Sequence, residues 1–310
     1  MELPIELWGY LSEFITSNKE KCRLMITCKW ISTCSFSFNE SVYANLVSNL
    51  RWCERFVNIV DTGDVDLHLN VKKLHIGTTP IIRVLVPSSV VHLIFTHYFN
   101  EPIGILPSSI KYLTFGETFN RPIDYLPSSI TRLTFGADFN QSVIKLPSSI
   151  THLTFGWFFN KSINGIIPTS VTNLIFTGKF DQPIYKCIPS SVKYLKLSWH
   201  FNQSVKDCIP SSVTHLEFGC YFNQPINECI PSSVIYLSFG YCFNQPIKGH
   251  IPNSVTHLSF SVFLDQPLQD AIPLSVKCIT FYGHISVARI QKINECVGND
   301  VELCFPNMLY

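Results

Sequence analysis

The sequence predicts an α+β chain dominated by a β-rich solenoid of about eleven coils of 20–21 residues, with three helices in front of it. Three observations carry this. Prolines that precede the pattern S-V/I-x-x-L-x-F, with few substitutions, fall at Pro87, Pro107, Pro127, Pro147, Pro168, Pro189, Pro210, Pro231, Pro252 and Pro273, spaced by 20 three times and by 21 six times. Within each unit the apolar residues alternate as they do in a strand. The first sixty residues instead show helical spacing. The expected organisation is a helical segment over 1–60, a solenoid over 61–286 and a helix–strand cap over 287–310.

The coil after Pro210 shows why the units must stack. Val213, Leu216, Phe218, Phe222, Ile226 and Ile230 are its six apolar positions. Their burial is worth on the order of 10–15 kcal/mol, whereas ordering ~21 residues costs on the order of 30 kcal/mol. One coil cannot stand alone and needs hydrogen bonds and side-chain contacts from both neighbours. A coil this short has no room for a long helix, and Pro225 and Pro231 punctuate its return path. Short parallel strands on one side and an extended or 3₁₀-like return on the other are therefore expected, over a body roughly 50 Å long at ~4.8 Å per coil. "VKKLHIG" from Val71 reads as a degenerate first coil.

An asparagine follows the second aromatic of most coils, at Asn100, Asn120, Asn140, Asn160, Asn202, Asn223 and Asn244, with Asp181 and Asp265 as replacements. A short side chain with a carbonyl-type oxygen can accept from backbone donors in the turn, and stacked amides can bond along the axis. A structural ladder is expected, since catalysis has no use for so many copies. With "FNQPI" at Phe222–Ile226 and Phe243–Ile247, inside "IPSSVTHLEFG", the chain resembles the FNIP repeat, a leucine-rich-repeat variant, over Val71 to Ser286. The resemblance implies a leucine-rich-repeat-like solenoid. Copies reading "FNQSV", "FNKSI" and "FDQPI", and Leu264 in place of phenylalanine, depart from the motif.

In the N-terminal segment Leu7, Leu11, Phe14 and Ile15 share one helical face, and Ser17 with Glu20 offers a capping box for a second helix through Arg23–Cys28. A third helix is expected after Asn39, where Val42, Leu46, Leu50, Cys53 and Val57 keep helical spacing. Such helices suffice to cover the open end of a solenoid. "LPIELW" followed by "CRLMITCKW" also resembles an F-box. That resemblance implies docking on a Skp-family adaptor, and through it a cullin complex, by Leu3, Pro4, Glu6, Leu7, Leu11, Leu24 and Cys28. Trp30 stands one position earlier than the pattern has it. At the other end, Val287–Cys296 reads as a short helix and Val301–Phe305 as a strand.

Composition narrows the function. A net charge of +1, with 15% charged residues, gives no basic stripe for nucleic acid. No apolar run reaches membrane-spanning length, and Glu2 and Glu6 stand where a secretory leader would be basic. Twelve cysteines without a CxxC pair point to reduced thiols and a cytoplasmic location, a host's cytoplasm if the chain is viral. No cofactor or metal is expected. The outward strand column places His92, Tyr112, Arg132, His152, Tyr194, His215, Tyr236 and His257 in line, with Asn173 among them, and no two of its histidines fall in adjacent coils. Zinc needs three or four converging ligands, so this column reads either as a surface for a target protein or as simple cover for the sheet.

The neighbouring outward column holds Thr114, Thr134, Thr154, Lys196, Glu217 and Ser238, and just past the strands lie Trp157, Phe158, Trp199, His200, Tyr221 and Tyr241. Cys187, Cys208 and Cys229 recur every 21 residues and read as an inert ladder. Ser88, Ser108 and Ser128 sit in turns with no dedicated His–Asp partners, and no GxSxG, P-loop or GxGxxG occurs, so the chain is not expected to be an enzyme. Taken together, the resemblances imply a substrate-receptor subunit of an SCF-type (cullin–RING) ubiquitin ligase. The alternative is a protein-binding repeat scaffold with no ligase role, its N-terminal helices serving only as a cap.

Overall fold

The computed structural model describes residues 42–43, 58–61, 73–76, 86–283, 286–297 and 301–306. The chain divides into two compact units, Met1–Gly116 and Glu117–Tyr310. The first contains strands β1 (Val42–Tyr43), β2 (Asn58–Asp61), β3 (Lys73–Ile76), β4 (His92–Phe95) and β5 (Tyr112–Thr114). In the second are β6 (Arg132–Thr134), β7 (His152–Phe155), β8 (Asn173–Phe176), β9 (Tyr194–Lys196), β10 (His215–Glu217), β11 (Tyr236–Ser238), β12 (His257–Ser261), β13 (Cys278–Tyr282), helix α1 (Val287–Cys296) and β14 (Glu302–Cys304).

Within each unit successive strands pair in parallel, and the register equals the sequence period. Leu216 lies opposite Leu195 on one side and Leu237 on the other, so each side chain meets its counterpart in the next coil. All six apolar positions of the coil after Pro210 are buried. The phenylalanines form two stacked files: Phe218 lies 5.4 Å from Phe239 in one file, Phe222 lies 6.1 Å from Phe243 in the other, and Phe218 and Phe222 stack at 4.0 Å within the coil. Offset-stacked rings at these separations add to the burial term.

The return path depends on coil length. In the 21-residue coils it contains one hydrogen-bonded turn, as in Cys229 N–H donating to the carbonyl of Ile226 at 3.0 Å, a β-turn with a left-handed third residue rather than the 3₁₀ step expected. The residue that makes this turn is left-handed: Lys186, Asp207, Glu228 and Asp270 have φ of 54–57°, while Gly165 and Gly249 fill the same place at 70° and 77°. The twenty-first residue is thus accommodated here. Coils of 20 residues run straight through.

The ladders are polar as well as aromatic. Asn202 Oδ1 accepts the backbone N–H of Asn223 at 2.9 Å, Asn223 Oδ1 accepts that of Asn244 at 2.9 Å, and Asp181 accepts that of Asn202 at 2.9 Å. The position asks only for an acceptor, which is why aspartate can stand in it. The amide that bonds along the axis belongs to the next residue: Gln245 Nε2 donates to Asn223 Oδ1 at 3.0 Å. A serine ladder runs beside it, built from the second serine of each "SSV" rather than the first. Ser212 donates to the carbonyl of Val192 and Ser233 to that of Val213, both at 2.7 Å.

The strand VKKLHIG anticipates forms as β3, with Leu74 opposite Leu93. The helix proposed after Asn39 is corrected at its start: Val42 and Tyr43 form β1, paired in parallel with Ile59 and Val60 of β2. A β-branched residue followed by an aromatic suits a ladder as well as a helix, and parallel pairing decides between them. Asn58, Ile59 and Val60, the end of the expected helical segment, are likewise strand, and the rest of the N-terminal three-helix F-box-like domain lies outside the described residues, as do Leu3, Pro4, Glu6, Leu7, Leu11, Leu24 and Cys28.

At the C-terminal end Ser286 caps α1, its side chain accepting the backbone N–H of Arg289. Arg289 in turn donates to the carbonyl of Leu264, and Ile293 and Val297 are buried. β14 then extends the sheet beyond β13, with Ile279 opposite Leu303 and Phe305 stacked 5.8 Å from Phe281.

Candidate functional site

Strand alternation decides what faces outward. In β10 Leu216 is buried, while His215 and Glu217 lie on the outer face. Along the first outward column His92 lies tilted against Tyr112 at 4.2 Å, and Tyr236 is stacked between His215 and His257 at 4.3 Å from each. His152 and Tyr194 are half-buried, and His92, Arg132 and Tyr236 are exposed. Parallel register therefore joins the column's rings into short stacks.

Three of its histidines are held by the preceding threonine. Thr151 donates its hydroxyl to the carbonyl of Thr131 at 3.1 Å and lies 2.9 Å from His152 Nδ1. One hydroxyl carries one proton, so Nδ1–H is the donor here and Nε2 is left as an acceptor. His215 stands in the same relation to Thr214, and Thr256 lies 2.9 Å from His257 Nδ1. Burial and the neighbouring Arg132 hold the His152 imidazolium below its ordinary pKa, and burial with Lys73 does the same for His92. Both changes favour the neutral ring.

A polar triad joins the two outward columns, Tyr194 from the first with Lys196 and Glu217 from the second. Tyr194 donates its hydroxyl to Glu217 Oε1, and Lys196 Nζ lies 2.8 Å from Glu217 Oε2. Burial works against the charged carboxylate, but the hydrogen bonds from Lys196 and Tyr194 outweigh it and hold Glu217 below its ordinary pKa. Burial and then Glu217 push the Tyr194 phenol well up, so it remains a donor. The charges of Lys196 and Glu217 satisfy each other, which leaves this part of the face near neutral.

Past the strands the chain turns sharply. A Cβ on Gly219 would lie 1.6 Å from the carbonyl oxygen of Ser198, so the two coils touch at their backbones there. The two residues that follow point away from the core and carry the large exposed rings. Trp199, Tyr221 and Tyr241 are 48–50% exposed, and Phe263 and Tyr282 are exposed as well. His200 lies 5.0 Å from Tyr221, Tyr241 lies 4.5 Å from Phe263, and Trp157 reaches to 6.3 Å from Trp199. Of these rings Trp199, Tyr221, Tyr241 and Tyr282, together with Lys196 and Glu217, border a groove of about 790 Å³ in the Glu117–Tyr310 unit.

Sequence reasoning singled out Trp157, Phe158, Trp199, His200, Tyr221 and Tyr241, but not Phe263 or Tyr282. Phe263 follows a buried Val262, and Tyr282 stands one position earlier in its coil than the other rings. Counting three residues past the inward Phe260 and one past the inward Phe281 finds them. Of the proposed target-binding residues, Tyr194 reaches the groove border through Glu217, whereas His92 and Tyr112 belong to the other unit. Cys187, Cys208 and Cys229 are free thiols, each within 3.2–3.3 Å of a carbonyl in its own turn, and burial pushes all three up. Among the described residues no group of three or more His, Cys, Asp or Glu is placed to hold a metal ion, and no helix is long and apolar enough to cross a membrane.

Short parallel strands repeating every 20–21 residues, with inward leucines and phenylalanines and a tight turn at each strand exit, define a repeat protein with a leucine-rich-repeat-like solenoid. The chain belongs to the FNIP Repeat family, whose model matches residues 79–118, 99–138, 119–158, 139–179, 159–200, 180–221, 201–242 and 243–283. It is similar to the crystal structure of CroV588, described as a novel circular LRR protein, at a TM-score of 0.54 and 29% identity. That similarity covers 81% of this chain, and the chain spans 46% of the length of CroV588. No curated protein matches it.

Proposed function

We propose that this chain is a protein-binding receptor, and that it presents its target to an SCF-type (cullin–RING) ubiquitin ligase. The observation that carries the binding role is the ring of half-exposed Trp199, Tyr221 and Tyr241 around a near-neutral groove. Large amphipathic rings on a rigid backbone are the side chains that dominate protein-binding hot spots. The strand exits fix those rings, because Gly219 and its equivalents hold neighbouring coils backbone to backbone. Within the Glu117–Tyr310 unit the outward column extends the candidate surface with the stacked rings of His215, Tyr236 and His257.

The ligase connection rests on the F-box resemblance of Leu3, Pro4, Glu6, Leu7, Leu11, Leu24 and Cys28. In this reading the N-terminal residues dock a Skp-family adaptor, the adaptor joins a cullin, and the chain itself does no chemistry. It acts by raising the local concentration of a target lysine near the charged conjugating enzyme. The reading places the protein in the cytoplasm.

Co-purification of the full chain with a Skp-family adaptor tests the proposal. A one-to-one complex that Leu3→Ala with Leu7→Ala abolishes, without loss of the folded solenoid, is the expected result. A folded chain that leaves the adaptor unbound would reduce the reading to a repeat scaffold.

A further inference from the structure

Two cysteines of the groove lie where no single-period count would place them together. Cys220 follows Gly219 by one residue and Cys242 follows Gly240 by two, so they stand in adjacent coils, offset by one position. Both face the same groove, and Cys242 donates its backbone N–H to the carbonyl of Cys220 at 2.8 Å. With neighbouring coils ~4.8 Å apart and one residue of offset adding ~3.3 Å along the chain, their Cα atoms are about 6 Å apart, the usual span of a disulfide. The Cys242 thiol is exposed, and the Cys220 thiol is half-buried beside it.

We propose that Cys220 and Cys242 form a redox modification site that closes to a disulfide when the protein meets hydrogen peroxide. The exposed Cys242 thiolate attacks the peroxide, takes one oxygen as a sulfenic acid and releases hydroxide. The Cys220 sulfur then displaces that oxygen, the S–S bond forms and the second oxygen leaves as water, so two thiols and one peroxide yield one disulfide and two waters. Burial, then the Cys242 thiol, push Cys220 up, which suits the resolving partner rather than the first to react. The bridge lies across the groove between Tyr221 and Tyr241. The chemistry stands independently of what the groove binds.

Geometry separates this pair from the other thiols. Cys278 and Cys304 have sulfurs 3.9 Å apart, yet Cys278 registers with Glu302 and Cys304 with Thr280. An offset of two residues puts their Cα atoms about 8 Å apart, beyond the ~7 Å that a disulfide spans without backbone movement. Cys208 and Cys229 are in adjacent coils, but they are only 6–7% exposed, and each thiol donates within its own turn.

The experiment treats the full folded chain with a stoichiometric amount of hydrogen peroxide, alkylates remaining thiols in denaturant and cleaves after glutamate. Glu228 lies between the two cysteines, so they end on separate peptides that only a disulfide joins. The expected result is a linked pair of peptides holding Cys220 and Cys242, released by dithiothreitol, with Cys278 and Cys304 still alkylated. In Cys220→Ser the link disappears, Cys242 stops at sulfenic acid, and a second equivalent of peroxide takes it to sulfinic acid. The proposal is overturned if Cys220 and Cys242 are both fully alkylated after peroxide, or if Cys242 is found bridged to any other cysteine.

Discussion

The two turns of a single coil obey opposite rules. At the strand exit, backbone meets backbone: a Cβ on Gly219 would fall 1.6 Å from the Ser198 carbonyl oxygen, and Asn223, four residues on, accepts the Asn244 N–H. At the return turn, Gly249 has φ of 77° and no atom within 4 Å of where a Cβ would be. One turn holds the stack together and the other absorbs changes in coil length. That difference explains how coils of 20 and 21 residues can share one register, and why the exposed rings sit beside the tighter turn, where they are held most firmly.

Breaking the tight turn is expected to have the largest effect. Gly219→Ala places a methyl group into the backbone of the neighbouring coil, so its cost exceeds the ~1–3 kcal/mol of ordinary overpacking, read as a fall in the urea midpoint. Asn223→Leu comes next. It strands the Asn244 N–H, at about 1–3 kcal/mol, and leaves the Gln245 amide only the backbone carbonyl of residue 223, whereas Asn223→Asp keeps the acceptor and stays close to the parent chain. If Asp and Leu cost the same, the ladder is not an acceptor ladder. Gly249→Ala meets no neighbour and loses only left-handed freedom, about 1 kcal/mol.

The smallest effect concerns Glu217. Its folded pKa is below the ordinary ~4.3, so its contribution to stability is present above that value and is lost as pH falls through the folded pKa. The difference in thermal midpoint between the parent chain and Glu217→Gln should therefore be constant near neutrality and shrink below about pH 4. A difference that grows on acidification would contradict the Lys196 and Tyr194 assignment.

The same contrast explains what could be read from sequence. Positions that repeat because coils touch were legible: the inward residues from Val213 to Ile230, the asparagine ladder, and the helix and strand after Val287. Features created by an offset between coils were not. The left-handed twenty-first residue is Lys, Asp, Glu or Gly in different coils, so composition gives no signal for it. Cys220 and Cys242 are 22 residues apart and fall out of a 21-residue count, though the diagonal step keeps them adjacent. Helical spacing to Leu46 and Leu50 predicts a helix at Val42; pairing with Ile59, a long-range contact, is invisible to local periodicity. The rings at the groove could be located by position, but only the structure shows Trp157 and Trp199 leaning together over the coil between them.

The most direct test sets two neighbours in one turn against each other, Tyr221 and Phe222. Phe222 is fully buried between Phe201 and Phe243, and Tyr221 is 48% exposed at the groove. The measurement is the urea midpoint of Phe222→Ala and of Tyr221→Ala. If inward rings hold the solenoid and outward rings are left for recognition, Phe222→Ala costs about 3–5 kcal/mol and Tyr221→Ala about 1 kcal/mol or less. Equal losses for the two would show that the outward rings belong to the fold, and would remove the physical basis for a binding surface at the strand exits.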